Sequence, residues 1–164
     1  MSVRLILPPA YKCVEPVVFL GGPVRETYNW RGSAIERITR AAPGLYVVSP
    51  QWPECPGQDE SRLWETHYMN WIGAERSRGA FLFYFSRPNE GYNLSTYAKR
   101  SIEELEYIGV LHELSNARLI VGVEDGFPKK DIVSSILSRY QDIDIQTSLE
   151  DICSKAVKNI RING

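Results

Sequence analysis

Cysteine and histidine are scarce in this sequence. The three cysteines among its 164 residues lie far apart without a Cys-x-x-Cys pair, and an odd count argues against a disulfide framework. We therefore expect Cys13, Cys55 and Cys153 to be reduced and structural. The two histidines, His67 and His112, fall on different predicted helices, so neither a metal site nor a Ser-His-Asp triad is indicated.

Long apolar runs and an excess of one charge are also missing. No run approaches the roughly 20 apolar residues that span a bilayer, and the first residues lack the features of a secretory signal. We therefore expect a cytoplasmic protein with no membrane partner. The 19 basic and 20 acidic residues give a net charge of -1, which leaves no basic excess to neutralise the phosphates of a nucleic acid polymer.

The rest of the composition is that of a globular domain. Hydrophobic residues make up 43% of the chain and charged residues 24%, as in ordinary globular proteins. A chain of this length can bury most of its apolar surface in one core. We therefore expect residues 1–164 to form a single domain.

Short apolar strands alternate with segments of helical periodicity along the chain. This alternation predicts an α/β domain with a mainly parallel five-stranded sheet flanked by helices. The predicted strands are residues 17–20, 45–48, 80–85, 119–123 and a short stretch at 143–145, with 3–6 as a candidate edge strand. The predicted helices are residues 30–41, 61–75, 100–114, 131–140 and 149–160.

The loops after the predicted strands are where an α/β sheet forms its binding crevice. In the first loop, Gly21, Gly22 and Pro23 form a turn in which backbone amides could approach a ligand, although a plain tight turn is the alternative. The turn matches neither the dinucleotide nor the phosphate-loop fingerprint, so we expect no cofactor. Candidate 5′-phosphate ligands in or beside the loops, each otherwise a solvated surface charge, are Arg25, Arg87, Lys99 and Arg100.

The helix predicted at 100–114 carries a glutamate at the margin of its apolar face. With about 100° per residue, Glu104 falls between Ile108 and Leu111 of that face, whereas Glu103, Glu106 and Glu113 point away. A carboxylate held against an apolar surface is costly unless it is paired, and enzymes tune nucleophiles and acids in this way. The alternative is a capping box in which Ser101 and Glu104 satisfy free amides at the helix start.

The preceding predicted helix carries a second polar and aromatic cluster. Trp64, Glu65 and Asn70 are candidates for base stacking and hydrogen bonding at a pocket. Core packing explains the tryptophan equally well.

Five motifs follow one another between about residues 17 and 140: VVFLGGP (17–23), Trp64-Glu65, GAFLFYF (79–85), SIEEL (101–105) and LIVGVEDGF (119–127). Their order and spacing resemble those of the nucleoside 2-deoxyribosyltransferase-like superfamily, which includes deoxynucleoside monophosphate N-glycosidases. The resemblance implies a flavodoxin-like, Rossmann-like sandwich with its active-site glutamate at the start of the helix after the third strand. That glutamate is Glu104 here.

The resemblance also implies the chemistry, which is cleavage or exchange of the N-glycosidic bond of a (deoxy)nucleoside or its 5′-monophosphate. Glu104 would attack the anomeric carbon, and another base or water would intercept the glycosyl-enzyme intermediate. Family sites are built across subunit contacts, which implies a homo-oligomer. The residues expected to bind the substrate are Gly21, Gly22, Pro23, Trp64, Glu65, Asn70, Arg87 and Ser101.

The sequence leaves alternatives open. It does not separate transfer from hydrolysis. Family members commonly have glycine where this chain has Glu106, and an acid near Arg78-Gly79. These departures favour a second hypothesis, a non-catalytic nucleotide-binding or sensing domain of the same fold; a redox flavodoxin-like protein, the third, would need flavin.

Overall fold

The computed structural model describes residues 4–8, 16–50, 58–74 and 79–163, which form alternating strands and helices. The strands are β1 (Leu5–Ile6), β2 (Val17–Gly21), β3 (Tyr46–Val48), β4 (Gly79–Phe85), β5 (Leu119–Val123) and β6 (Ile145–Gln146). The helices are α1 (Trp30–Ala41), α2 (Gln58–Ile72), α3 (Lys99–Ser115), α4 (Lys130–Leu137) and α5 (Leu149–Asn163).

The strands form one parallel sheet in the order β1-β3-β2-β4-β5-β6. The predicted α/β class and flavodoxin-like architecture are confirmed. The sheet has six strands rather than the predicted five, because the candidate edge strand joins it as β1. Both β1 and β6 are only two residues long, too short for hydrophobic periodicity to indicate them firmly.

Apolar side chains bury both faces of the central strands. Every residue of β2, β4 and β5 is buried, which is why these strands read as continuous apolar runs. One face is covered by α2, α3 and α4, and the other by α1 and α5. The layer formed by α1 and α5 contains Cys153, whose thiol is free and buried. Cys13 and Cys55 lie outside the described residues.

Burial of the Cys153 thiol raises its pKa to about 12, so it carries no nucleophilic thiolate at neutral pH. Among the helices of the described ranges, none is both long and apolar enough to cross a lipid bilayer.

The strand order reverses direction beside the carboxyl ends of β2 and β4. From β2 the chain passes to β3 on one side and then returns past β2 to β4 on the other. Such a reversal is the topological switch point at which open α/β sheets bind ligands. The turn after β2 and the start of α3, which follows β4, therefore lie at the edge of the sheet where a site is expected.

The turn after β2 needs glycine for internal packing. A Cβ atom on Gly21 would lie 2.4 Å from the ring of Phe83, and one on Gly22 would lie 2.1 Å from the carbonyl oxygen of Tyr84. Gly22 also has a φ of +133°, a backbone conformation that side chains disfavour. The space beside both glycines is thus filled by β4 itself.

Candidate active site

A cleft of about 250 Å³ lies between α2 and α3. Each helix presents one stripe to it, with side chains at positions i, i+3, i+4 and i+7, the spacing that places residues on one helical face. The lining residues are Arg62, Glu65, Thr66 and Met69 of α2, and Arg100, Glu103, Glu104 and Tyr107 of α3.

Glu104 lies at the margin of the apolar face of α3, as its spacing predicts, and its side chain is mostly buried. Its side chain is 12% exposed, while Glu103, Glu106 and Glu113 on the same helix are exposed. The carboxyl group thus reaches the cleft from the margin of the apolar face that α3 packs against the sheet.

Glu65 and Glu104 are brought together under one arginine. Arg100 places its Nη2 atom 2.7 Å from Oε2 of Glu65 and its Nε atom 3.3 Å from Oε1 of Glu104. The Glu65 side chain is 8% exposed and that of Arg100 is 41% exposed, so the pair is covered by a cation that still faces solvent. A guanidinium fork suits two such acceptors because its N–H donors have a fixed planar geometry.

The surroundings of Glu104 favour its protonated form. Burial raises the pKa of the Glu104 carboxyl well above its ordinary value, and the charge of Glu65 and hydrogen bonding between the two carboxyl groups raise it further. The positive charges of Arg100 and Arg31 act in the opposite direction but do not cancel the rise. Two neighbouring carboxyl groups with one strongly raised pKa tend to share a proton.

Arg31 lies outside the cleft lining but its charge acts on Glu104 and Glu65, and the sequence pattern did not single it out. It is 2% exposed, and its guanidinium donates hydrogen bonds to the carbonyl oxygens of Pro23 at 3.0 Å and Gly22 at 2.9 Å. Desolvation lowers the Arg31 pKa to about 10, while the charges of Glu104 and Glu65 oppose that shift. A usable signal was its spacing, because Arg31 shares a helical face with the apolar Ala34 and Ile38.

The glycine turn binds Arg31, and the charge of Arg31 acts on the Glu104 and Glu65 carboxyl groups. Besides accepting from this guanidinium, the Pro23 carbonyl accepts a hydrogen bond from Nε1 of Trp30 at 2.9 Å. The carbonyl groups of Gly22 and Pro23 therefore hold a buried cation. This is a structural role for a turn that the sequence analysis considered as a ligand-binding loop.

The capping box, which was the alternative role for Ser101 and Glu104, does not form. Helix α3 begins at Lys99, its N-cap residue is Ala98 with a φ of 58°, and no side chain caps it. Ser101 is therefore the third residue of the helix, buried beside the sheet rather than flanking the helix start. The left-handed conformation of Ala98 starts the helix three residues earlier than a cap at Ser101 requires.

Trp64 and Asn70 lie on opposite sides of α2. Trp64 is fully buried in the core and its ring centroid lies 4.9 Å from that of Tyr68, so core packing accounts for it and no ring face is open for base stacking. Asn70 is exposed and accepts a hydrogen bond from the Tyr107 hydroxyl of α3. This bond links the two helices beside the cleft.

Arg87 belongs to a separate cluster over the ends of β2, β4 and β5. Its Nε atom lies 3.5 Å from Oε1 of Glu124, and its backbone N–H donates to Oε2 of the same carboxylate at 3.0 Å. The Tyr28 hydroxyl donates to that oxygen at 2.7 Å. Of the four candidate phosphate ligands, only Arg100 lines the cleft. Arg87 lies in this separate cluster, and Arg25 and Lys99 are exposed.

Neither histidine joins the cleft. His112 lies at the far end of α3, where its ring contacts the Ala117 carbonyl oxygen at 2.6 Å and Oδ2 of Asp142 at 3.0 Å. This contact lowers the Asp142 pKa. Within the described ranges, no three His, Cys, Asp or Glu side chains are grouped to hold a metal ion.

No protein-family model matches the sequence, and no curated protein matches it at a significant level. The chemistry of the α2–α3 cleft is therefore inferred from its own residues and geometry.

The raised pKa of Glu104 predicts that its ionisation destabilises the fold. Above the ordinary glutamate pKa of about 4.3, the unfolded chain releases this proton while the folded chain keeps it, so the free energy of unfolding falls until the pH passes the raised pKa. Glu104→Gln removes this loss. At neutral pH we expect it to be more stable by on the order of 1 kcal/mol, about 2–4 °C in Tm, measured by thermal unfolding between pH 4 and 8.

The matched control is Glu113→Gln, an exposed glutamate on the same helix, whose stability should follow that of the native protein across the pH range. A destabilised Glu104→Gln protein at neutral pH would contradict the prediction, because it would mean that the ion pair with Arg100 outweighs the cost of the buried charge.

Proposed function

We propose that the protein is an enzyme that cleaves or exchanges the N-glycosidic bond of a deoxynucleoside or deoxynucleotide, with Glu104 as nucleophile. The observation that carries the proposal is the pairing of Glu104 with Glu65 beneath Arg100 at a cleft beside the topological switch point. The resemblance of the motif order to the nucleoside 2-deoxyribosyltransferase-like superfamily supports the same position for the nucleophile.

Breaking an N-glycosidic bond requires a nucleophile at the anomeric carbon and a proton for the departing base. The pair supplies both when it carries a single proton. Glu65 takes up the shared proton and passes it to the base nitrogen, while Glu104 forms an ester with the anomeric carbon. The electron pair of the broken C–N bond stays on the base, so the base leaves neutral and Glu65 remains ionised.

The second displacement reverses these steps. Water or a second base approaches the anomeric carbon, loses a proton to Glu65, and releases the Glu104 carboxylate as the ester bond breaks. Two inversions at one carbon retain its configuration. Hydrolase and transferase differ only in which acceptor reaches the intermediate.

The two arginines limit the cost of this arrangement. Arg100 contacts both carboxyl groups, and the buried charge of Arg31 opposes the pKa rise of Glu104. A buried carboxylate that lacked a counter-charge would be protonated throughout the neutral range. The arginines therefore keep one member of the pair available as an anion.

Self-association has a candidate surface beside the cleft. Tyr107, Val110 and Leu114 are exposed apolar residues of α3 at i, i+3 and i+7, which is the spacing of one helical stripe. We propose that a second copy of the chain covers this stripe, and Tyr107 would then place the contact at the edge of the cleft.

Leu114→Glu is expected to dissociate such an oligomer, because it places a charge in the apolar contact. Sedimentation velocity should show a smaller species than for the native protein, and Ile132→Glu, an exposed apolar position on α4, is the control. A native protein that sediments as a monomer, or an unchanged Leu114→Glu oligomer, would overturn this surface.

A second function is favoured by one observation. Arg100 forms ion pairs with both carboxyl groups in this conformation. The same ion pairs would suit a nucleotide-binding or sensing domain in which Glu65 and Glu104 only support the structure. Such a domain would bind ligand and release no base.

Replacing the nucleophile separates these functions. Glu104→Gln should lower turnover by about 1,000-fold or more while ligand binding persists, as measured by chromatography of free and exchanged base from a panel of deoxynucleosides and deoxynucleoside monophosphates. Glu113→Gln should retain native turnover. Product release that survives in Glu104→Gln would remove this residue from the mechanism, and binding without product in the native protein would support the sensing domain.

The shared proton predicts a bell-shaped dependence of kcat/KM on pH. Turnover should fall at high pH, as the pair loses its proton above the raised pKa of Glu104, and at low pH, where a second proton removes the nucleophile. Glu65→Gln removes both the acid and a negative charge that raises the Glu104 pKa, so the remaining activity should lose its basic limb and have its acidic limb set by Glu104 alone. A kcat/KM that is flat between pH 5 and 9 would contradict proton sharing.

A further inference from the structure

The cleft contains two arginines with different surroundings. Arg100 uses one edge of its guanidinium, Nε and Nη2, for Glu104 and Glu65. Its Nη1 group has no partner among the described residues, and the side chain is 41% exposed. A guanidinium has five N–H donors, so Arg100 can hold the carboxyl pair and still present a second edge to a ligand.

Arg62 lines the same cleft from α2, one helical turn before Glu65. It is exposed and has no ion-pair partner within the described ranges. Arginine binds phosphate through parallel N–H donors. The cleft therefore contains the carboxyl pair covered by Arg100 and, in addition, N–H donors of Arg62 and Arg100 that the cleft carboxylates do not engage.

The size of the cleft limits what it can enclose. Its volume of about 250 Å³ is below the roughly 300–1,000 Å³ of pockets that enclose a drug-sized ligand. A sugar with one anionic substituent is a smaller ligand than a whole nucleotide. If the sugar lies at Glu104, an anion on it is within the same cleft as Arg62 and Arg100.

We propose that the α2–α3 cleft is a sugar-phosphate subsite, in which Arg62 and the Nη1 edge of Arg100 bind the phosphomonoester of the substrate. The subsite makes the phosphorylated sugar the recognised part, and of the base only the nitrogen that Glu65 protonates enters the cleft. Its link to turnover rests on the proposed function, whereas binding of the sugar phosphate does not. Glu103 also lines the cleft, and its negative charge weakens anion binding.

Isothermal titration with 2-deoxyribose 5-phosphate, 2-deoxyribose and inorganic phosphate tests the subsite without any turnover. The sugar phosphate should bind about 10- to 100-fold more tightly than the unphosphorylated sugar, and Arg62→Gln should remove a similar factor. Glu103→Gln should tighten binding. Arg37→Gln, which removes one exposed charge from α1 on the opposite face of the sheet, should leave the affinity unchanged.

Equal affinity for the two sugars, or an unchanged affinity in Arg62→Gln, would overturn the subsite. Binding of inorganic phosphate as tight as that of the sugar phosphate would also overturn it, because the sugar would then add nothing. The proposed function fails separately: a sugar phosphate that binds through Arg62, with no base released from any substrate, supports the subsite and rejects the glycosidic chemistry. Conversely, base release that is indifferent to the 5′-phosphate and to Arg62→Gln supports the chemistry and rejects the subsite.

Discussion

Two carboxyl groups and one guanidinium share the space between α2 and α3, and the arrangement of the site depends on this contact. Glu104 and Glu65 could not both be ionised there without a counter-charge, since desolvation and mutual repulsion act together on Glu104. Arg100 supplies a charge from the solvent side and Arg31 supplies one from the core. Both cations oppose the rise in the Glu104 pKa that burial and Glu65 cause, and the proposed mechanism requires one proton on the pair.

The parallel sheet delivers these groups to one place. Helix α3 follows β4 and α1 follows β2, and β2 and β4 are neighbours at the switch point. Arg31 is held by carbonyl groups of the turn after β2, a turn whose glycines are required because β4 leaves no room for a side chain. Close packing of β2 and β4 thus determines the shape of the turn, and the turn carbonyls hold Arg31 in place. The charge of Arg31 in turn opposes the rise in the Glu104 pKa.

The sequence predicts the features that depend on local periodicity. The spacing of apolar residues predicts the α/β alternation and the bounds of α1, because one face of each helix must pack on the sheet. It also predicts that Glu104 lies at the margin of the apolar face of α3. The short strands β1 and β6 lack such a pattern, so their part in the sheet depends on pairing with distant strands. The Ser101 cap is absent for a related reason, since Ala98 adopts a left-handed conformation that composition does not indicate and takes the N-cap position itself.

Contacts between elements could not be predicted in the same way. Glu65 and Arg100 are 35 positions apart in the sequence, and nothing in either helix alone indicates that they meet. Arg31 was missed because a buried arginine needs carbonyl acceptors that only the folded turn supplies. Trp64 could not be assigned from the sequence either, because a tryptophan suits both base stacking and core packing. The folded structure buries it in the core.

The protonation state of Glu104 is the measurement that tests this account most directly. Carbon-13 NMR of glutamate side-chain carboxyl groups, with the Glu104 signal assigned by its loss in Glu104→Gln, would follow this one group through a pH titration. We expect it to titrate well above the ordinary glutamate range. An ordinary glutamate titration at Glu104, independent of Glu65, would mean that the two carboxyl groups share no proton and that the proposed site lacks its acid.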